Sequence, residues 1–226
     1  YNGYYNEKYG NKVIIMNTDI KLVALDLDRT TLNSESHLSE VNRKALIDAI
    51  NNGVHVCIAS GRAFDTLPED VISVPGIEYA ITSNGAAIYR IAGKECLKSY
   101  LLTPSSVKTI LNLTANDTVT YEAFIKGQAF ASTEYTAHPE KYSATEHSLN
   151  YVKKTRILKD DIVSFILEHC HELDSLDIVV GDEELKKNIM DRIRKATDEV
   201  YMTSSISQLL EISYKDAGKK SGVKFL

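Results

Sequence analysis

The feature that most restricts the fold of this chain is an alternation of apolar runs with helical stretches between residues 21 and 83. Three runs are typical of buried strands: "KLVALDL" from Lys21, "VHVCIAS" from Val54 and "EYAITS" from Glu78. Ser39 is a typical helix N-cap, and the helix after it is predicted to end near Gly53. Strands that are apolar on both faces and alternate with helices favour a parallel sheet covered on both sides. We therefore expect an α/β fold.

Polar residues follow each of these three runs. The first run leads into Asp26 and Asp28, the second into Ser60, Gly61 and Arg62, and the third into Thr82 to Gly85. Because the carboxyl ends of parallel strands meet at one edge of a sheet, these residues are expected to line one crevice. Two carboxylates at the end of a buried strand repel each other, which favours a bound cation or a reaction that uses both.

The pattern changes after Asn84, and this change suggests how the chain is organised. The stretch that follows is typical of antiparallel hairpins, with turns at Asn84-Gly85 and Ala92-Gly93. We predict a flexible tail over residues 1–15, with Met16 as a candidate natural start, and a core over residues 16–94. A mixed α+β insertion is predicted over residues 95–213, and the core is expected to resume over residues 214–226.

Composition limits the class of partner. The chain has 226 residues, 43% of them hydrophobic and 25% charged, which is ordinary for a globular protein. A formal net charge of -5 disfavours nucleic acid and anionic membrane as main partners, because both need a basic surface. The three cysteines, Cys57, Cys96 and Cys170, are far apart, and no apolar run reaches the ~20 residues of a membrane helix. We expect a cytoplasmic protein that acts on small molecules, and its oligomeric state cannot be predicted.

Four motifs occur in a fixed order along the chain. They are "DLDRT" from Asp26, "IASGR" from Ile58, "SNGA" from Ser83 and "LEISYKDAGKKSGVKFL" from Leu210. Together they resemble the haloacid dehalogenase (HAD) superfamily, and within it the Cof-type phosphatases, which carry a large α+β cap domain. The resemblance extends from Met16 to Leu226. It implies a Rossmann-like core of parallel strands with an inserted cap.

The resemblance also implies roles for individual residues. Asp26 would be the nucleophile that forms an aspartyl-phosphate, and Asp28 would protonate the leaving oxygen and later deprotonate water. Mg²⁺ would be held by the Asp26 carboxylate and the Asp28 backbone carbonyl. The phosphate-binding residues would be Ser60, Gly61, Asn84 and Lys219. The expected activity is Mg²⁺-dependent hydrolysis of a small phosphorylated metabolite, either a sugar phosphate or a phosphorylated cofactor.

Two departures from the family pattern affect this interpretation. Arg29 stands where the D-x-D-G-T motif has glycine, so it would be strained if that position needs an unusual backbone angle, or it could add positive charge near the phosphate. The acidic fourth motif of the family follows the motif-three lysine, and the sequence ends at Leu226 before it. We therefore expect a truncated product or a fragment, with an incomplete metal site and an exposed apolar strand edge at "KLVALDL".

Two other functions remain open from the sequence. A phosphomutase of the same superfamily would return the phosphoryl group to a second hydroxyl, so it would form an isomer instead of releasing phosphate. A binding module that keeps the fold but lacks the metal ligands would retain ligand without turnover.

Overall fold

The computed structural model of the protein describes residues 20–226, so the predicted tail over residues 1–15 and the candidate start at Met16 lie outside the described residues. The first sheet has five strands in the order β1 to β5. They are β1 (Leu22–Leu25), β2 (His55–Ala59), β3 (Ile77–Thr82), β4 (Ala87–Arg90) and β5 (Glu95–Ser99). β1, β2 and β3 are parallel, whereas β4 and β5 are antiparallel to their neighbours. The predicted parallel α/β core is therefore confirmed.

The helix that connects β1 to β2 forms where the sequence predicts it. α1 (Glu40–Asn51) begins after Ser39, whose hydroxyl accepts a hydrogen bond from the Asn42 backbone N–H at 3.2 Å. It ends just before Gly53, which has a φ of 84°. Leu46, Ile47 and Ile50 are the apolar side chains that pack against the core beneath. α1 thus covers one face of the first sheet.

The second sheet has six strands in the order β10-β11-β9-β6-β7-β8. Its strands are β6 (Val119–Ile125), β7 (Gln128–Ser132), β8 (Ile157–Lys159), β9 (Leu173–Val180), β10 (Val200–Thr203) and β11 (Leu209–Tyr214). The remaining helices are α2 (Glu69–Ile72), α3 (Pro104–Thr114), α4 (Thr133–Ala137), α5 (Glu146–Thr155), α6 (Ile162–Glu168), α7 (Glu183–Ala196) and α8 (Lys219–Phe225). No helix in residues 20–226 is both long and apolar enough to cross a membrane.

The membership of the two sheets differs from the predicted domain boundary at residue 95. The turn at Gly93, with a φ of 75°, folds β5 back onto β4, so Glu95–Ser99 belongs to the first sheet. β11 is the last strand along the chain to join the second sheet. After it, α8 returns to the first sheet and packs on the Ser83–Gly85 turn. The inserted unit is thus bounded by β5 on one side and by α8 on the other.

The two faces of the second sheet have different environments. Tyr121, Ala123 and Ile125 point to one face, where they join an apolar core with α3, α6 and α7. The alternate residues Glu122 and Phe124 point to the opposite face. There, Phe124 and Ala129 pack against Ala63 in the segment that follows β2. This contact places the opposite face of the second sheet over the carboxyl end of the first sheet.

Candidate active site

A cavity of about 730 Å³ lies between the carboxyl end of the first sheet and the second sheet. Five of the predicted site residues line it: Asp26, Asp28, Gly61, Asn84 and Lys219. Ser60 is buried, and its hydroxyl accepts a hydrogen bond from the Arg62 backbone N–H at 3.2 Å. Ser60 is not among the lining residues, so its predicted contact with phosphate remains a prediction.

Asp26 lies at the end of β1 and is held by three groups. Thr31 Oγ1 donates a hydrogen bond to the Asp26 backbone carbonyl at 2.6 Å, which fixes the turn that follows β1. Thr30 Oγ1 donates to Asp26 Oδ2 at 3.0 Å, and Lys219 Nζ forms an ion pair with Asp26 Oδ1. The Asp26 side chain is 41% exposed, so its carboxylate remains accessible from the cavity.

Lys219 reaches Asp26 because two backbone segments approach each other closely. Gly85, with a φ of 99°, follows β3, and a Cβ built on it would lie 2.1 Å from the carbonyl carbon of Gly218 and 2.6 Å from the Lys219 nitrogen. Any side chain at position 85 would therefore displace the start of α8. The predicted Asn84-Gly85 turn thus positions the lysine of the third motif.

Asp28 is bound by Arg62, a residue that sequence reasoning placed at the end of β2 but assigned no role. Arg62 Nη2 donates to Asp28 Oδ1 at 2.7 Å, and Arg62 Nε donates to Asp28 Oδ2 at 3.0 Å. Burial opposes the charge of the guanidinium, but the hydrogen bonds and the charge of Asp28 leave the pKa of Arg62 above its usual value. This two-point ion pair defines the orientation of the Asp28 carboxylate.

Arg29 has a left-handed backbone, with φ 59° and ψ 12°. The D-x-D-G-T motif has glycine at this position, and glycine adopts this region without steric cost. The position does need an unusual backbone angle, so strain at Arg29 is expected. The Arg29 side chain is exposed and lines the cavity, so it also brings positive charge to the site.

The wall of the cavity formed by the second sheet, which we call the second wall, lies opposite Asp26 and Asp28. It carries three acidic residues on neighbouring strands. Glu211 of β11 is directly paired with Asp177 of β9, which is paired with Glu122 of β6. Arg156 Nε donates to Glu122 Oε2 at 2.7 Å, and both side chains are under 10% exposed, at 8% and 4%. Burial, with the nearby charges of Glu211 and Glu122, raises the pKa of Asp177 well above its usual value. This wall therefore brings three carboxyl groups to the cavity, and burial favours the protonated form of Asp177 among them.

Asn84 connects the two walls. Its Nδ2 donates a hydrogen bond to Glu211 Oε1 at 2.9 Å, and Glu211 Oε2 accepts from the Ser205 backbone N–H at 2.8 Å. The phosphate-binding role predicted for Asn84 remains a prediction, and the structure adds a contact that joins the first sheet to the second.

The donor set at Asp26 and Asp28 suits a magnesium ion that shares its ligands with a phosphate. Mg²⁺ is usually held by one or two carboxylates, with waters and substrate phosphate completing the octahedron. The Asp26 carboxylate and the Asp28 backbone carbonyl are hard oxygen donors of this kind. Within residues 20–226, no three His, Cys, Asp or Glu side chains are grouped so as to hold a metal. The Asp26 carboxylate and the Asp28 carbonyl would supply only part of an octahedral shell, and substrate phosphate and water would supply the rest.

Residues 23–226 match the model of the haloacid dehalogenase-like hydrolase family. The chain therefore belongs to that family. A haloacid dehalogenase-like hydrolase from Bacteroides thetaiotaomicron has a similar structure, with a TM-score of 0.72 and 20% identity over 91% of this chain and 75% of that one. The HAD subclass IIB sugar phosphatase BT4131 has a TM-score of 0.71 and 16% identity over 90% of this chain and 74% of its own. These two likenesses show that the chain shares the fold of those proteins.

Individual curated relatives match over shorter segments of the sequence. Over 71 residues the chain is 44% identical to the 5-amino-6-(5-phospho-D-ribitylamino)uracil phosphatase YcsE of Bacillus subtilis. That segment is 31% of this chain and 28% of the relative. The chain thus matches less than a third of that relative's length.

Sequence reasoning named Phe124 as a residue that could line the pocket or fill the core, and it did not find Glu122, Asp177, Tyr151 or Arg156, which line the same wall. Tyr151 and Arg156 come from α5 and the residue after it, a helix that was not predicted. Glu122 and Asp177 did carry a signal, because each is the only charged residue in a short apolar stretch, "YEAFI" and "LDIVV". A charged residue in a buried strand is rare without a partner, and here Arg156 is that partner for Glu122.

Proposed function

We propose that this protein is a phosphatase that hydrolyses monoesters of small phosphorylated metabolites through an aspartyl-phosphate. One observation carries the proposal: Asp26 and Lys219, 193 residues apart in sequence, form an ion pair inside a cavity that Asp28 also lines. A phosphate monoester repels an attacking carboxylate, so a nucleophile of this type needs cations beside it. Lys219 and Arg29 provide positive charge at this position.

In the first step, an Asp26 carboxylate oxygen attacks phosphorus, and the bond between phosphorus and the leaving oxygen breaks. A proton from Asp28 passes to that oxygen, so the leaving group departs as a neutral alcohol. In the second step, Asp28 accepts a proton from a water molecule whose oxygen attacks phosphorus. The bond from phosphorus to Asp26 then breaks, which releases phosphate and restores the Asp26 carboxylate.

We assign Mg²⁺ as the cofactor, with the Asp26 carboxylate and the Asp28 backbone carbonyl as its protein ligands. When bound, the ion supplies positive charge that offsets the negative charge of the transferring phosphoryl group. Ser60, Gly61 and Asn84 are proposed to contact the phosphate, together with Lys219. Gly61 and Asn84 line the same cavity as Asp26 and Lys219, which supports this assignment.

The second wall supports a leaving group that is rich in hydrogen-bond donors. Glu122, Asp177 and Glu211 offer carboxyl oxygens, which accept hydrogen bonds from hydroxyl and amino groups. We propose a phosphorylated sugar or a phosphorylated cofactor as substrate. The names of two similar proteins, a sugar phosphatase and a ribitylaminouracil phosphatase, agree with this class.

The test is phosphate release by the full chain from a panel of sugar phosphates, polyol phosphates and nucleotides, with and without Mg²⁺. We expect release in the presence of Mg²⁺, and loss of that release in Asp26→Asn. Asp48→Asn, which changes an exposed carboxylate on α1, is the matched control and should retain activity. Conversion of a sugar phosphate to its isomer would instead identify a phosphomutase, and ligand binding without turnover would identify a binding module.

A further inference from the structure

The aromatic ring of Tyr151 lies between two arginines that come from different parts of the fold. Arg62, in the segment after β2, has its guanidinium carbon 5.2 Å from the ring centroid. Arg156, which follows α5, has its guanidinium carbon 5.0 Å from the same centroid. Both distances are within the range of cation–π attraction. We call Arg62, Tyr151 and Arg156 the arginine–tyrosine bridge.

Each end of the bridge is anchored by a carboxylate. Arg156 is held by Glu122 in the second sheet, with Nε to Oε2 at 2.7 Å and both side chains almost fully buried. Arg62 is held against Asp28, with its two hydrogen bonds at 2.7 and 3.0 Å. A continuous set of contacts therefore runs from Glu122 in β6 of the second sheet to Asp28, the proposed acid and base beside the first sheet.

The plane of the Arg62 guanidinium is fixed from three directions. Asp28 occupies Nε and Nη2, the Thr66 backbone carbonyl accepts from Nη1 at 3.2 Å, and the Tyr151 ring lies near the guanidinium. A guanidinium donates hydrogen bonds in its own plane, so the orientation of that plane decides where the Asp28 oxygens lie. Removing the ring leaves Arg62 its charge but takes away the contact supplied by α5 of the inserted unit.

We propose that Tyr151 and Arg156 are positioning residues for Asp28 and act on it through Arg62. The placement of the second sheet over the first would then determine the orientation of the group that transfers the proton. This inference rests on the proposed phosphatase function and adds to it a link between the inserted unit and the chemistry. A tyrosine that only fills space between the two sheets would affect stability but not proton transfer.

The two roles can be separated by the leaving group of the substrate. Departure of an alkyl alcohol depends on protonation, whereas 4-nitrophenolate leaves readily without it. We therefore compare kcat/KM for an alkyl phosphate that the protein hydrolyses with kcat/KM for 4-nitrophenyl phosphate, in the full chain with Mg²⁺. This quantity ends at departure of the leaving group, whereas kcat also contains the second step, which both esters share and in which Asp28 also acts. The informative quantity is the ratio of the two kcat/KM values, because a loss of folded protein lowers both equally.

In Tyr151→Leu we expect this ratio to fall about tenfold, a modest part of the effect of a well-placed acid. Tyr151→Phe keeps the ring and should keep the ratio within about twofold of wild type. Tyr100→Leu is the matched control, because it removes a ring over Lys98, 5.1 Å from the centroid, without a link to Asp28. Arg62→Lys keeps the positive charge but loses the two-point hydrogen bonding to Asp28, so it should lower the ratio as Tyr151→Leu does. Arg62→Lys is the variant to measure if Tyr151→Leu does not fold.

Equal losses with both substrates in Tyr151→Leu and Arg62→Lys would overturn the positioning role while the proposed function stands. A ratio as low in Tyr100→Leu as in Tyr151→Leu would overturn it as well. If the wild-type chain releases phosphate neither from 4-nitrophenyl phosphate nor from any ester of the panel of sugar phosphates, polyol phosphates and nucleotides, the proposed function itself is overturned and the bridge has no role in this reaction. The failure of the bridge and the failure of the function therefore give different results.

Discussion

Replacing Arg29 with glycine should stabilise the protein, because Arg29 has the left-handed φ of 59° in a position where the family motif has glycine. A residue with a Cβ loses about 1–2 kcal/mol in this region. Glycine avoids that loss, but its greater freedom in the unfolded chain offsets about 0.5–1 kcal/mol of the gain. We therefore expect Arg29→Gly to be about 1 kcal/mol more stable than Arg29→Ala, which corresponds to about 2–4 °C in Tm for a chain of this size.

The alanine variant is the control that separates backbone strain from charge. Arg29→Ala keeps the strained backbone and removes an exposed side chain, so its stability should stay within about 0.5 kcal/mol of wild type. Both variants lose the positive charge in the cavity, and both should show a raised KM for a phosphorylated substrate. Urea unfolding followed by circular dichroism measures the stabilities. Equal stability of the glycine and alanine variants would refute the account of strain.

Further predictions concern the site and its surroundings. Gly85→Ala should lower the free energy of unfolding by about 2 kcal/mol or more and abolish phosphate release, because its Cβ would lie 2.1 Å from the carbonyl carbon of Gly218. Gly93→Ala is the control: Gly93 has a φ of 75° and no atom lies within 4 Å of the added Cβ, so the change should cost only about 1–2 kcal/mol. Equal losses of stability in the two variants would contradict the close approach of Gly85 to α8. Glu122→Ala should destabilise the protein by about 3–5 kcal/mol in urea melts, since it leaves Arg156 buried without its partner. Asp191→Ala is the control, because it breaks an exposed ion pair with Arg194 and should cost about 0–1 kcal/mol. Similar losses of stability in Glu122→Ala and Asp191→Ala would argue against a large contribution from the buried pair of Glu122 and Arg156. Burial raises the pKa of Asp174 to about 6, so the folded state binds its proton more tightly than the unfolded state, and stability should fall as pH rises from about 4 to about 6. Relative to Asp174→Asn, wild type should lose roughly 3 kcal/mol between pH 4 and pH 7, and a difference that does not change with pH in urea melts would exclude this contribution.

The parts of the fold that depend on local pattern could be predicted from the sequence. β2 is flanked by turn signals and is apolar on both faces, and Ser39 marks the start of α1. The convergence of Asp26, Gly61 and Asn84 follows from the rule that parallel strands share a carboxyl edge. Lys219 could be placed only by its family motif, because nothing local in the sequence shows that α8 packs against Gly85.

The parts that depend on tertiary contacts could not be predicted. β8 has only three residues, too few to show the alternation of apolar and polar residues that predicts a strand, and its partner β7 is distant in sequence. β5 resembles the start of the inserted unit in composition, but hydrogen bonding to β4 assigns it to the first sheet. Tyr151 acquires its place between Arg62 and Arg156 only when the two sheets come together. Such residues give no signal that a single sequence can show.

The most direct test of the proposed function is chemical capture of the phosphorylated intermediate on Asp26. The full chain would be mixed with a substrate and Mg²⁺, quenched in acid within a single turnover and treated with borohydride, which reduces an acyl phosphate to an alcohol. The account predicts that peptide mass spectrometry finds Asp26 reduced to homoserine only when substrate is present. Phosphate release with an unmodified Asp26 at every quench time, or with another residue reduced instead, would contradict it.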